Sequence, residues 1–248
     1  MTSLRNKVAL ITGGGRGIGK AIAERYGVLG ASVIVNYSSN ADAANETVGV
    51  IERSGGTAVA VQADVSKVAE IERLFTSSLA HFGHVDIVVA NAGLELSGQP
   101  VLDFSEEEFD RLFGVNTKGA FFTIQKAAKY VTDNGRIIFV GSSTITFPMP
   151  GHGLYGGSKM APRFLVEVLA KEIGHRGVTV NSILPTATSG AGRHSEPRPE
   201  MNNFIKMFMP MNRMGALEDS ANAAEFLASD LASFVSGQHL LLSGGGPA

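Results

Sequence analysis

Tyr155 and Lys159 stand four residues apart in Tyr155-Gly-Gly-Ser-Lys159, and Ser142 lies one loop upstream. A phenol, an ammonium and a hydroxyl can move a proton between them. A free tyrosine has a pKa of about 10, too high for a good base near neutrality, and a nearby cation lowers it by stabilising the phenolate. Tyr155 and Lys159 are one helical turn apart, so both side chains share a face. Far ahead of them the chain reads Thr12-Gly13-Gly14-Gly15-Arg16-Gly17-Ile18-Gly19. Glycine lets backbone approach phosphate closely, and a following helix N-terminus supplies N–H donors and the positive end of a dipole. Alone, a Tyr-x-x-x-Lys pair is usually structural, and a glycine cluster can be a plain tight turn. Together they indicate a phosphorylated cofactor with a proton mover beside it, which means hydride transfer coupled to proton transfer at a carbonyl or alcohol.

The elements that must position these groups are short apolar runs alternating with longer helix-patterned stretches. Val8 to Ile11, Ser32 to Asn36, Ala58 to Gln62, Val85 to Ala90, Arg136 to Val140, Val178 to Ile183 and Gln238 to Leu242 read as strands. Ile87 to Ala90 and Ile137 to Val140 do not alternate with polar residues, the mark of parallel strands covered on both faces. Gly17 to Leu29 carries Ile18, Ile22 and Tyr26 at helical spacing, and Ala41 to Arg53 stops at Gly55-Gly56. Ser105-Glu-Glu-Glu108 has the form of a capping box and opens a helix running towards Tyr130. Pro162 falls early in the Tyr155 helix, where it removes one backbone donor and can bend the axis. The order predicts an α/β fold, a Rossmann-type doubly wound parallel sheet with helices on both faces.

With 248 residues, 44% of them hydrophobic, the chain suits a single domain over 1–248 with a sizeable core. The segment from Thr186 to Met214 breaks the rhythm with three prolines and five methionines. Its run Phe204 to Phe208 predicts a short helix in a substrate lid at about 186–214. A net charge of −2 gives no long-range attraction for nucleic acid or an anionic membrane. Cysteine is absent, so thiolate chemistry is excluded. The histidines form no metal constellation; His81 and His84 read as a surface pair. Lys7 to Ile11 is too short for a signal segment and runs straight into the glycine turn, so a soluble cytoplasmic protein is expected.

The glycine spacing is Gly-x-x-x-Gly-x-Gly, it follows a strand, and Asn91-Ala92-Gly93 follows the fourth strand. With Ser142, Tyr155 and Lys159, these motifs make the chain resemble the short-chain dehydrogenase/reductase family over essentially its whole length. The resemblance implies a sheet of about seven parallel strands and a nicotinamide cofactor. It implies that Gly13, Gly17, Ile18 and Gly19 hold the cofactor phosphates. Asp64 and Val65 would meet the adenine, and Asn91, Ala92 and Gly93 the adenosine ribose. Lys159 would also hold the nicotinamide ribose, and Asn116 would anchor water that relays protons to Lys159. The family often has Pro-Gly after strand six. Here Pro185-Thr186 stands there, and the resemblance implies that the cofactor amide would lie against this segment, with Thr188 meeting it through its backbone. Ser143 is the neighbouring candidate for the serine role, but Ser142 fits the usual separation from the tyrosine. The family also implies a homotetramer, with a dimer next.

NAD-specific sites commonly place an acid at the end of strand two. Asn36 holds that position, followed by Tyr37, Ser38 and Ser39. A carboxylate near 4 Å from a 2′-phosphate would cost up to about 4 kcal/mol at an effective dielectric of ~20. Arg16 can pair with that phosphate, while Ser38 and Ser39 can donate hydrogen bonds. NADP(H) is therefore favoured; Asp42 nearby keeps NAD(H) open. Leu94, Leu96, Phe147, Met149 and the methionine-rich lid predict an apolar, adaptable pocket for a small-molecule ketone or alcohol. The leading reading is an NADPH-dependent carbonyl reductase. The others are an NAD-linked dehydrogenase of a secondary alcohol, steroid or sugar, and a cofactor-binding regulator without catalysis.

Overall fold

Successive residues of the first strand face opposite ways, and both directions are apolar. Val8 and Leu10 join one buried cluster with Leu74, Phe75, Ile124 and Val166. Ala9 and Ile11 join a second cluster with Ile22, Tyr26, Ala224 and Leu227. A sheet made of such strands must be covered on both faces, and helices do this.

The computed structural model describes residues 2–192, 205 and 207–247. The chain runs β1 (Val8–Ile11), α1 (Gly17–Val28), β2 (Ser32–Tyr37), α2 (Ala41–Arg53), β3 (Thr57–Gln62), α3 (Val68–Phe82) and β4 (Ile87–Ala90). It continues as α4 (Glu106–Phe113), α5 (Ala120–Tyr130), β5 (Arg136–Val140), α6 (Gly153–Ile173), β6 (Thr179–Pro185), α7 (Leu217–Ala228) and β7 (His239–Leu242). The seven strands lie in the order β3-β2-β1-β4-β5-β6-β7, and every pairing is parallel. The order reverses between β1 and β4, and a crevice opens there beyond the carboxyl ends of the strands. No helix among the described residues is long and apolar enough to cross a membrane.

The expected fourth strand begins two residues late, at Ile87, and Asp86 before it bonds to its neighbours through both backbone and side chain. Asp86 is buried, and its carboxylate accepts from the Val8 N–H at 2.8 Å and from the Thr132 hydroxyl at 3.0 Å. His84 also approaches this carboxylate, at 3.1 Å.

The helix expected from Ser105 towards Tyr130 is opened by the capping box. Ser105 Oγ accepts from Glu108 N at 3.2 Å, and Glu108 Oε2 accepts from Ser105 N at 3.0 Å. It is not one regular helix, however. Gly114–Gly119 form a π-helical stretch between α4 and α5. Such wide turns are uncommon and often mark functional sites.

The expected lid is described at 186–192, 205 and 207–214; its remaining positions, including Phe204 and Lys206, lie outside the described residues. Ile205, Met207 and Phe208 are helical, and Met209 N donates to Ile205 O at 2.9 Å.

Helix α1 packs on α7 through Tyr26, which is fully buried and donates its hydroxyl to Ala224 O at 2.8 Å. Tyr26→Phe removes that donor without opening a cavity of note. The expected loss is about 1–2 kcal/mol of unfolding free energy, read from the denaturant midpoint, with turnover per folded molecule unchanged.

Candidate active site

Helix α1 begins immediately after the glycine turn, and its backbone needs freedom there. Gly13 and Gly17 have φ of +63° and +53°, a region side chains disfavour. A Cβ on Gly19 would lie 2.3 Å from Gly13 O and 2.4 Å from Asn91 Nδ2, so α1 presses directly on the turn. Arg16 occupies the helix N-cap without a side-chain cap, and the first turn carries no acid. The leading N–H groups therefore receive no side-chain cap from Arg16 and face no acid in the first turn, which favours holding an anion.

Asn91 braces the same turn from β4. Its Nδ2 donates to Thr12 O at 2.8 Å and to Gly13 O at 3.2 Å. Thr12 Oγ1 in turn accepts from Asn91 N and Ala92 N, each at 3.0 Å.

Asn36 lines the cavity at the end of strand two, with its amide taken up by backbone partners. It is buried, and Oδ1 accepts from Gly13 N at 3.2 Å. Its Nδ2 donates to Val61 O at 3.2 Å and Ala63 O at 3.0 Å. The amide ties β1, β2 and β3 together, because a buried amide must find partners. Tyr37, Ser38 and Ser39 form the rim instead, with Ser38 and Ser39 exposed. Asp42 is exposed in the first turn of α2 and does not line the cavity.

Asp64 and Val65 border the cavity after β3. Partial burial acts to raise the Asp64 pKa, but two hydrogen bonds from Ser66 and the nearby Lys67 outweigh it, so the net direction is down. Pro185 and Thr188 line the opposite side, where Thr188 Oγ1 donates to Thr186 O at 2.8 Å.

These residues surround one cavity of about 1270 Å³ that also holds Ser142, Tyr155 and Lys159. Ser142 lies two residues after β5, and its Oγ accepts from Thr144 Oγ1 at 3.0 Å and Thr144 N at 3.3 Å. The Ser142 hydroxyl lies near enough to the Tyr155 phenol to act on its pKa, in the lowering direction. Lys159 is 4% exposed, its Nζ donates to Val140 O at 3.1 Å, and it stands 5.3 Å from the Phe139 ring centroid.

The expected acidification of the phenol by Lys159 is not what the protein's own groups produce. Burial first, and the Glu95 charge second, push the Tyr155 pKa up to about 12 against the lowering effect of Ser142. Burial pulls Lys159 down to about 8. Desolvation disfavours the charged form of each group, so the phenol keeps its proton at neutral pH.

Among the predicted site residues, Asn116 alone stands behind the cavity wall rather than on it. It lies in the π-helical stretch, fully buried. Its Oδ1 accepts from Leu94 N at 2.8 Å, and Nδ2 donates to Leu94 O at 2.9 Å and Ser158 Oγ at 3.0 Å. Sequence reasoning missed Arg111, which reaches the cavity from the last turn of α4. The available signal was a single cation after the acidic run Glu106 to Asp110.

The profile of a family described as Enoyl-(Acyl carrier protein) reductase matches residues 13–246. A solved short-chain dehydrogenase/reductase from Serratia marcescens BCRC 10948 superposes with a TM-score of 0.92 at 31% identity, covering 98% of each chain. This chain belongs to the short-chain dehydrogenase/reductase family. Among other members, the hydroxynaphthalene reductase-like protein Arp2 of Metarhizium brunneum is 40% identical over 98% of this chain and 96% of its own. The angucycline C-6 ketoreductase LanV, solved with bound NADP, has a TM-score of 0.92 at 35% identity, covering 98% of this chain and 96% of that one. The short-chain dehydrogenase/reductase fold is therefore shared from end to end, and this chain is an oxidoreductase of that family.

The buried ammonium has a measurable signature. Below about pH 8 the folded protein carries the proton of Lys159 at a cost that the unfolded chain, near 10.5, does not bear. Between those values the unfolded state binds more protons, so wild-type stability rises with pH. Lys159→Met removes this dependence. The stability of the variant relative to wild type should fall by on the order of 3 kcal/mol from pH 8 to 10.5, measured by urea unfolding.

Proposed function

We propose that this enzyme reduces ketones to secondary alcohols with NADPH. One observation carries the reading: Ser142, Tyr155 and Lys159 share a cavity with an uncapped helix N-terminus and a rim of Arg16, Ser38 and Ser39. The glycine turn and that uncapped N-terminus fit a dinucleotide diphosphate. Arg16, Ser38 and Ser39 would hold a 2′-phosphate, with Asn36 acting through the backbone it supports. Asp64 and Val65 would meet the adenine, while Asn91, Ala92 and Gly93 would line its ribose. Pro185 and Thr188 would face the nicotinamide amide.

When bound, the nicotinamide supplies the hydride that reduces the carbonyl carbon. Ser142 holds the substrate oxygen by a hydrogen bond. Tyr155 donates its phenolic proton to that oxygen as charge develops there, and its raised pKa keeps the proton in place beforehand. Lys159 stabilises the phenolate left behind and holds the nicotinamide ribose. Asn116 holds the Leu94 backbone and the Ser158 hydroxyl next to Lys159 and would support a water path that returns the proton. Oxidation of an alcohol reverses these steps, and NAD(H) remains the alternative cofactor.

Phe147, Met149 and Phe208 wall the substrate end, with the two rings 6.0 Å apart. Such a wall suits bulky or aromatic ketones. The names of Arp2 and LanV, a hydroxynaphthalene reductase-like protein and an angucycline ketoreductase, support that class. We assign the enzyme to the cytoplasm and to a homotetramer. Exposed Phe109, Phe121, Met160 and Phe164 on α4, α5 and α6 support the assembly.

Steady-state turnover of aromatic ketones with NADPH and NADH tests the reading. Arg16→Ala should raise the KM for NADPH about 10- to 100-fold, as loss of a charge-assisted phosphate contact predicts, and leave that for NADH within about twofold. Tyr155→Phe should lower kcat by about 10²–10⁴-fold. Preference for NADH in the wild type, or full activity in Tyr155→Phe, contradicts the proposal.

A further inference from the structure

Pro162 lies inside α6, buried, four residues after Ser158. In a regular helix the N–H of residue 162 would donate to the carbonyl of residue 158. Proline has no N–H, and its ring pushes that carbonyl away from the helix axis. The Ser158 carbonyl is therefore left without its helical donor, in a residue that is 0% exposed and beyond the reach of bulk water. Thr117 fills the gap. Its hydroxyl donates to Ser158 O at 2.8 Å from the π-helical stretch between α4 and α5.

The same serine is held by the preceding residue of that stretch. Asn116 Nδ2 donates to Ser158 Oγ at 3.0 Å, and Ser158 Oγ donates to Tyr155 O at 2.7 Å. Consecutive side chains of an α-helix point about 100° apart, yet Asn116 and Thr117 both reach Ser158. They do so at different atoms, Asn116 at the hydroxyl and Thr117 at the carbonyl. Ser158 directly precedes Lys159 and lies one turn after Tyr155, so its backbone sets where both side chains emerge.

We propose that Thr117 is a positioning residue for the proton-transfer pair. Its hydroxyl substitutes for the main-chain donor that Pro162 removes and locks the Tyr155–Lys159 turn against the π-helical stretch. The proposal rests on the assignment of Tyr155 and Lys159 as that pair. Thr117 touches neither substrate nor cofactor; it acts through the Ser158 carbonyl. Thr117 and Pro162 therefore form a compensating couple, in which the donor is demanded only because the proline is present.

A double-mutant cycle in the full-length enzyme tests this. Thr117→Val should lower kcat about 10- to 100-fold, the scale expected when reacting groups are displaced, with the ketone KM within about threefold. Thr117→Ser, which keeps the hydroxyl, should stay within about threefold of wild type. Pro162→Ala restores an N–H for Ser158, so Thr117→Val introduced into Pro162→Ala should cost less than about threefold in kcat. If Thr117→Val does not fold, recovery of folding and turnover in the double variant supports the couple. An unchanged kcat in Thr117→Val, an equal loss in Thr117→Ser, or an undiminished loss in the Pro162→Ala background overturns it. Tyr155→Phe is run in parallel: if that variant keeps full activity, the proton-transfer assignment itself has failed, independently of Thr117.

Discussion

A charged amine buried at the end of a parallel sheet is the constraint around which the catalytic half of the molecule is arranged. The Lys159 ammonium has lost nearly all contact with solvent, and it donates a hydrogen bond to the Val140 carbonyl at the tip of β5. Such a group is costly to desolvate. It persists because the surroundings leave it no other position. Gly93 passes so close that a Cβ there would lie 3.1 Å from Nζ. The Phe139 ring underlies it. The helix that carries it is clamped at Ser158 from a neighbouring element. Stability is given up locally so that a cation and a phenol can stand together at the cavity.

The other half depends on polar side chains that replace backbone partners where the strand order reverses. Asn91, Thr12 and Asn36 each bond to backbone of the glycine turn or of its neighbours. The turn cannot be satisfied by ordinary ladder bonds, because it has already left the sheet. Three short polar side chains complete the hydrogen bonding that glycine-rich backbone leaves open. Rigidity at the cofactor end thus comes from side chains, although the motif is recognised by residues that have none.

The sheet was legible from residues because parallel strands covered on both faces read as unbroken apolar runs; β1 is such a run from first residue to last, and β5 is one after Arg136. The proposed trio of Ser142, Tyr155 and Lys159, which shares one cavity, was legible because its members are close in sequence. Three features were not. The π-helical stretch left no trace in periodicity, since Gly114–Gly119 carry one apolar side chain, Val115, and so no stripe whose phase could be followed. The inward turn of Asn36 could not be read, because an amide at a strand end is equally able to face a ligand or a carbonyl. The direction of the Tyr155 shift was missed because proximity in sequence reveals a charge but not the depth of its burial.

Asn36 has one more consequence. Since its amide is committed to three strands, the sheet's integrity is secured one residue before the rim begins. Ser38 and Ser39 carry no such duty and stand exposed. Exchanges at those two places alter the mouth of the cavity while leaving the scaffold untouched. A protein built this way can wander in what it admits at that mouth, through successive single replacements, without ever passing through a misfolded ancestor.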